Sequence, residues 1–84
     1  MPKHFQLEIL GPDKTLFQGV VTSVNAKAKD GSIGILADHA PLVTALDKGT
    51  LYYWDANNER QEIGIDGGIL KVESNKATVL TTGT

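Results

Sequence analysis

The residues of this 84-residue sequence that are best suited to chemistry are His39 and the carboxylate beside it, Asp38. A histidine oriented by a carboxylate is the base of nucleophilic catalysis, and Ser32 or Thr44 could then supply the attacking hydroxyl. Adjacent residues of an extended chain point to opposite faces, however, so Asp38 is badly placed to orient the His39 ring. The sequence therefore predicts no catalytic residue, and a small hydrolase remains only as an alternative.

A glycine-containing run, Asp30-Gly31-Ser32-Ile33-Gly34, invites comparison with a phosphate-binding loop. A P-loop requires a following lysine and the start of a helix, and neither comes after Gly34. Asp-Gly is instead a strong hairpin signal, because glycine accepts the positive φ of a tight turn. The run predicts a β-hairpin and no nucleotide site.

Three consecutive aromatic residues, Tyr52, Tyr53 and Trp54, could form a platform for a sugar or a peptide. On strict alternation Tyr53 shares a face with Leu51, and Tyr52 shares the opposite face with Trp54. The favoured interpretation is that one pair joins the core and the other lies at the surface. A free-standing sandwich that binds a ligand or peptide remains as an alternative function.

The composition excludes several other classes of protein. The net charge is −2, with 8 basic and 10 acidic side chains and no basic stripe, so nucleic-acid binding is not expected. The sequence has no cysteine and only two histidines, which argues against a disulfide, a metal site or a cofactor. It has no secretory leader and no apolar run of the ~20 residues that span a bilayer. These features predict a protein of a cytosol-like compartment.

Period-two hydrophobicity broken by turn residues is the dominant pattern of the chain. Residues 20, 22, 24, 26 and 28 are apolar or threonine, and polar residues follow most of them. Turns are predicted at Asp38 to Pro41 and at Asp47 to Gly49. Gly67-Gly68 lies between two predicted strands and indicates a bulge, a corner or a close backbone approach. The pattern predicts one all-β domain over residues 1–84, a sandwich or small barrel with at least eight short strands.

One stretch of the sequence resembles a known family signature. It runs from Asp30 to Leu46 and reads DGSIGILADHAPLVTAL. It is similar to the N-terminal β-sandwich domain of the epsilon subunit of F-type ATP synthases, and matches on both sides extend the resemblance over essentially all 84 residues. The flanking matches are Leu7-Glu8-Ile9-Leu10, Leu16-Phe17-Gln18-Gly19, Gly67 to Val72 and Thr78-Val79-Leu80.

The resemblance implies a two-sheet sandwich of about ten short strands. It also implies a non-catalytic rotor subunit of the central stalk, which couples the c ring to the gamma subunit. By position, Gly31, Ser32 and Ile33 match the hairpin tip that faces the c ring. The gamma-facing side matches His39, Ala40, Pro41, Leu42 and Thr44. The location implied is the cytoplasmic side of a bacterial membrane, peripheral and not inserted, with the stromal side of a thylakoid as the alternative.

The sequence also departs from the family pattern. Ser32 stands where many relatives carry an acidic side chain, so a charge contact with the c ring is not expected. Asp38 stands where glycine is common. Nothing in the sequence corresponds to the C-terminal helical hairpin of most members, so ATP binding and inhibition by an inserting helix are not ascribed to this chain.

Overall fold

The computed structural model describes residues 3–83, which form six β-strands and no helix. The predicted all-β class is therefore confirmed. Residues 1, 2 and 84 of the predicted domain lie outside the described residues. The prediction that the chain has no secretory leader also concerns residues 1 and 2, which lie outside the described residues. The strands are β1 (Phe5–Leu10), β2 (Thr15–Ala28), β3 (Gly31–Leu36), β4 (Leu42–Asp55), β5 (Arg60–Glu73) and β6 (Lys76–Thr81).

The strands follow the order β1-β6-β5-β4-β2-β3, and β1 also pairs with β2. This extra pairing closes the sheet on itself, so two layers face each other across one core. The first layer contains β1, β6, residues 15–20 of β2, residues 42–46 of β4 and residues 68–73 of β5. The second layer contains β3, residues 21–28 of β2, residues 48–55 of β4 and residues 60–66 of β5. All pairings are antiparallel except β1 with β6, which lie parallel. The strand β3 is the last strand in this order and pairs with β2.

The structure has six strands where about ten short ones were expected, because β2, β4 and β5 are each 14 residues long. Each of these strands bends and contributes to both layers. In β5, residues 68–72 pair with β6 as well as β4, whereas residues 60–66 pair with β4 alone among the described residues. The turn predicted at Asp47 to Gly49 therefore lies inside β4. Gly67-Gly68, expected between two strands, lies inside β5, where the predicted close backbone approach is found.

The bend of β5 is made by Gly67 and Gly68, which have φ values of 89° and 154°. A side chain at Gly68 would collide with the backbone carbonyl of Leu80 on β6. The hydroxyl of Thr81, which also lies on β6, donates to the carbonyl of Gly67 at 2.7 Å and stabilises the bend. Glycine is needed here because the backbones approach too closely for a Cβ atom.

A similar bend in β2 changes which residues face the core. Val21 and Thr22 are both buried, and Val20 faces outward, 38% exposed. Val21 pairs with Phe5 of β1 and with Asp55 of β4, and the register with β4 shifts between Val21 and Ser23. The strict alternation expected from Val20 onward therefore holds only after the bend, since a bulge moves the side chains to the other face.

The core consists of the inward side chains of both layers, and its largest members are aliphatic. The short connections have turn chemistry of their own: Ser74 and Asn75 both have positive φ, which suits the tight β5–β6 hairpin. The largest fully buried side chains are those of Leu7, Ile9, Val21, Val24, Ile35, Leu51, Leu70 and Val79.

Candidate interaction surfaces

The predicted hairpin forms the connection between β2 and β3. The turn lies at Lys29-Asp30, and Ala28 and Gly31 form the pair that closes it. Gly31 has φ 125°, and a Cβ atom there would meet nothing within 4 Å. Ser32 is exposed, whereas the Ile33 side chain packs against the core. The tip is thus a narrow, open projection anchored by one isoleucine.

The segment before β4 is a tight turn held against the N-terminus. Asp38 has φ 63°, a left-handed conformation that favours glycine, and its carboxylate pairs with Lys3 at 2.9 Å. The Asn75 side chain accepts a hydrogen bond from the Asp38 N–H at 2.8 Å and donates to the carbonyl of His4 at 2.9 Å. One amide therefore fixes the turn that presents His39.

In the described part of the chain, no hydrogen bond joins the His39 ring to a carboxylate or hydroxyl side chain with which it could form a catalytic group. Its Nδ1 lies 2.7 Å from the carbonyl oxygen of Ala40, which can only accept, so the proton is on Nδ1. Asp38 is engaged by Lys3, and no hydrogen bond joins His39 to Ser32 or Thr44 within residues 3–83. The same part of the chain has no group of three or more His, Cys, Asp or Glu that could hold a metal.

The first residues of β4 alternate between the core and the solvent. Leu42 and Thr44 are half-buried and point inward, where they pair with Val72 and Leu70 of β5. The residues between them point outward, and Val43 is 68% exposed. Ala40 and Pro41 are exposed just before the strand begins.

A row of apolar side chains crosses the outer face of the first layer. We call it the apolar row. Its members come from four neighbouring strands: the register places Ala45 opposite Ile69, Ile69 opposite Leu80, and Leu80 opposite Leu10. Ile69 and Leu80 are 47% and 50% exposed, and Val43 adds to the row from the next position of β4. Exposed large aliphatic side chains that touch one another mark an interaction surface more strongly than scattered ones do.

Charged and polar residues border the apolar row on one side. Lys71 lies opposite Val43 and pairs with Glu73 at 3.1 Å, and Lys76 pairs with Glu8 at 3.5 Å. These ion pairs are largely exposed and stabilise the fold little. An apolar centre with a polar rim is the usual anatomy of a protein–protein interface.

The sequence analysis missed the apolar row, although a signal for it exists. Leu42 to Leu46, Ile69-Leu70 and Val79-Leu80 are apolar at consecutive positions. A strand with one solvent-exposed face alternates apolar and polar residues. Consecutive apolar residues therefore indicate that both faces of the strand are covered by protein when the chain functions.

The second layer carries the aromatic residues as the sequence predicted. Tyr53 packs against the core, with its ring centroid 4.4 Å from that of Phe17. Tyr52 and Trp54 lie on the outer face and are half-buried, and the Arg60 guanidinium lies 5.3 Å from the Tyr52 ring centroid. Leu36 on β3 adds an aliphatic side chain that is 65% exposed. We call these residues the aromatic face.

The turn between β4 and β5 is built around Asp55. Its Oδ1 accepts hydrogen bonds from the backbone N–H groups of Asn57 and Glu59 at 2.9 and 3.0 Å, and its Oδ2 accepts from the Gln61 side chain. The Glu59 bond is the largest cause, and together these bonds lower the pKa of Asp55. Desolvation, and to a lesser degree the nearby Asp55 charge, raise the pKa of Tyr53.

Comparison with known proteins places the whole arrangement in context. Residues 4–84 match the model of the family described as ATP synthase, Delta/Epsilon chain, beta-sandwich domain. An ATP synthase epsilon chain of Natranaerobius thermophilus is 40% identical over 93% of this chain, and one of Lawsonia intracellularis is 41% identical over 96%. This chain covers 56% and 60% of those two relatives.

A third relative is of similar length. The ATP synthase epsilon chain of Chlorobium limicola is 40% identical, and the match covers 94% of this chain and 90% of that protein. Among solved structures, a chain of the Euglena gracilis mitochondrial ATP synthase aligns with TM-score 0.89 at 23% identity, over 96% of this chain and 52% of its own. A chain of the Tetrahymena thermophila mitochondrial ATP synthase central stalk and c ring aligns with TM-score 0.75 at 19% identity, over 92% of this chain and 62% of its own. At these identities the structures establish a shared fold. The described residues contain no helix able to cross a membrane.

Proposed function

This chain belongs to the ATP synthase delta/epsilon family through its β-sandwich domain, and on that premise we propose that it is a rotor subunit of a proton-translocating F-type ATP synthase. In this role it joins the central stalk to the c ring, contacts the gamma subunit, and makes and breaks no covalent bond. It lies on the cytoplasmic side of a bacterial membrane and is held there by the complex.

The apolar row is the observation that carries the proposal. Val43, Ile69 and Leu80 are 47–68% exposed, and the strand register places them together on one outer face. Burial of one such side chain contributes on the order of 1.5–3 kcal/mol. A permanent partner at this face explains why the chain keeps three of them at the surface, and gamma is the partner that the family suggests.

The proposed gamma-facing side combines the apolar row with the strip ahead of it. His39, Ala40 and Pro41 lead directly into β4, where Val43 points outward. Leu42 and Thr44 point inward, so they support this face from beneath by packing rather than by direct contact. Val43 and Ala45 therefore join His39, Ala40 and Pro41 as the contact positions.

The proposed c-ring-facing site is the hairpin tip at Gly31, Ser32 and Ile33. The open space around Gly31 allows a narrow projection to enter between polar loops. Ser32 is uncharged, so this position contributes shape and neutral hydrogen bonds rather than an ion pair.

Calorimetric titration against the purified cognate gamma subunit tests the proposal. We expect saturable binding by the unaltered chain and a loss of at least ~100-fold in affinity for Val43→Asp with Ile69→Asp, because two lost contacts of about 1.4 kcal/mol each multiply to that factor. Leu36→Asp is the matched control, since Leu36 is equally exposed but lies on the other layer. It leaves the affinity within about twofold of the unaltered chain.

Failure of the unaltered chain to bind gamma overturns the proposal. Equal weakening by Leu36→Asp and by the double variant contradicts the placement of the contact on the apolar row. The NMR spectrum of each variant is compared with that of the unaltered chain to check that the variant is folded, so a loss of binding is not confused with a loss of structure.

A further inference from the structure

The outer edge of β3 is a free strand edge. Within residues 3–83, β3 pairs with β2 and with no other strand, so one side of it is unpaired over six residues. Every second residue of an edge strand points its N–H and C=O away from the sheet. The Leu36 carbonyl accepts from the His39 N–H at 3.3 Å, which marks the end of the free edge. The edge is thus about 20 Å long.

The two edges of the second layer differ in how they are protected. Residues 60–66 of β5 form the opposite edge and carry the charges of Arg60, Glu62 and Asp66. The strand β3 reads GSIGIL and carries no charge. Charged side chains are a common device that prevents an edge from pairing with another chain, and β3 lacks it.

A groove of about 340 Å³ lies on the outer face beside this edge. Its walls are Leu36 and Trp54, which both pair with Ser23 and therefore stand about 10 Å apart across that small residue. Its floor is open because Gly34 has no side chain: a Cβ there would meet only the Asn25 amide, at 3.9 Å. No charged side chain lines the groove, so a charged guest would lose its hydration without gaining a partner.

From these features we propose that β3 accepts an extended, uncharged segment of a partner protein as an added strand, with one apolar side chain of that segment seated between Leu36 and Trp54. Backbone hydrogen bonds along the edge provide the affinity of such strand addition, and a pocket for alternate side chains provides the specificity. This surface lies on the aromatic face, and the inference does not depend on binding of gamma at the apolar row.

The area favours a partner segment over a second copy of this chain. Two copies joined edge to edge through β3 would bury little beyond two six-residue strands. Stable specific interfaces bury about 1,200–2,000 Å². A flexible segment can instead pair with the edge of β3 and place one side chain in the groove, and so contacts the edge and the groove at once.

NMR titration of the isotope-labelled chain tests the inference. The probe is an acetylated, amidated hexapeptide that alternates leucine and threonine. We expect saturable shifts at the β3 amides, at Ser23 and Asn25, and at the Trp54 indole N–H. Amide exchange slows at every second residue of β3, because only those groups face the added strand.

Two pairs of controls separate strand addition from simple apolar adhesion. Gly34→Lys fills the groove and weakens binding at least tenfold, whereas Gly64→Lys, at the other open edge glycine, leaves it within twofold. Hexapeptides N-methylated at all leucines or at all threonines differ in binding, because an added strand donates from only one set.

Several results overturn the inference. They are the absence of saturable binding, equal binding of the two N-methylated peptides, and equal weakening by the two lysine variants. A concentration-dependent dimer of the free chain, abolished by Gly34→Lys, also overturns it, because a second copy is then the occupant. None of these results bears on gamma binding, which is measured at the apolar row.

Discussion

The two outer faces of the sandwich hold their apolar side chains in different ways. On the apolar row, Ile69 and Leu80 lie opposite each other on neighbouring strands and are about half exposed. On the aromatic face, Trp54 and Tyr52 are half-buried, and the Arg60 guanidinium lies near the Tyr52 ring. The aromatic rings of the second face are thus more buried in the isolated chain than the aliphatic side chains of the first.

This difference predicts that substitutions on the two faces affect the isolated chain differently. A half-buried aromatic side chain stabilises the isolated chain, and its replacement is felt without any partner. An exposed aliphatic side chain contributes little to the isolated chain, and its replacement is felt only when the partner is present. Stability measurements on the free chain can therefore sort the two faces.

The largest expected effect comes from breaking the bend that both faces share. Gly68→Ala places a Cβ atom against the Leu80 carbonyl at a φ of 154°, so we expect a loss of more than about 3 kcal/mol in the free energy of unfolding. Urea denaturation followed by circular dichroism measures it. Gly64→Ala, where a Cβ has open space, changes the free energy by less than about 0.5 kcal/mol. Similar values for the two variants would contradict the role of the bend.

A medium effect compares the faces directly. Trp54→Ala removes a half-buried ring and lowers the free energy of unfolding of the isolated chain by about 1–2 kcal/mol. Ile69→Ser lowers it by less than about 1 kcal/mol, because about half of the side chain is already in water. The same denaturation experiment serves both variants. If Ile69→Ser is the more destabilising of the two, the contrast between the faces is wrong.

The smallest effect concerns the turn that supports the aromatic face. The hydrogen bonds to Asp55 lower its pKa below the ordinary 3.8, so their contribution to stability is present above pH 3.8 and lost as pH falls through the lower folded value. Asp55→Asn removes the charge and the bond from Gln61 but keeps an acceptor. We expect the stability difference between the two proteins to shrink on acidification, as followed by urea midpoints from pH 6 down to about 2. A difference that stays constant with pH would exclude ionised Asp55 as its source.

The sequence predicted the class of the fold well because turn residues and alternation are local signals. The Asp30-Gly31 hairpin and the split of Tyr53 from Tyr52 and Trp54 are both found where the pattern placed them. The number of strands was overestimated because Gly67 and Gly68 produce the same local signal whether they end a strand or bend it. Only the pairing partners on β4 and β6 distinguish the two cases, and those lie far away in sequence.

The surfaces were harder to predict than the fold. Thr44 was expected at the gamma-facing side, and the structure turns it toward the core while Val43 faces out. The phase of a strand is set by its bulges, and the bulge in β2 likewise exchanged the faces of Val20 and Val21. Whether the expected positions touch gamma or the c ring stays a prediction until binding is measured.

The parallel pairing of β1 with β6 has a consequence for how the chain is made. Gln6 pairs with Lys76 and Leu10 with Leu80, so β1 can complete its pairing only after β6 has left the ribosome. Contacts so distant in sequence fold slowly, since the loop between them must close before they form. Until residues 76–81 emerge, β1 and the second half of β5 each lack a neighbour. During synthesis this domain therefore exposes sheet edges that the finished domain hides, and it completes its fold only after residue 81 has been translated.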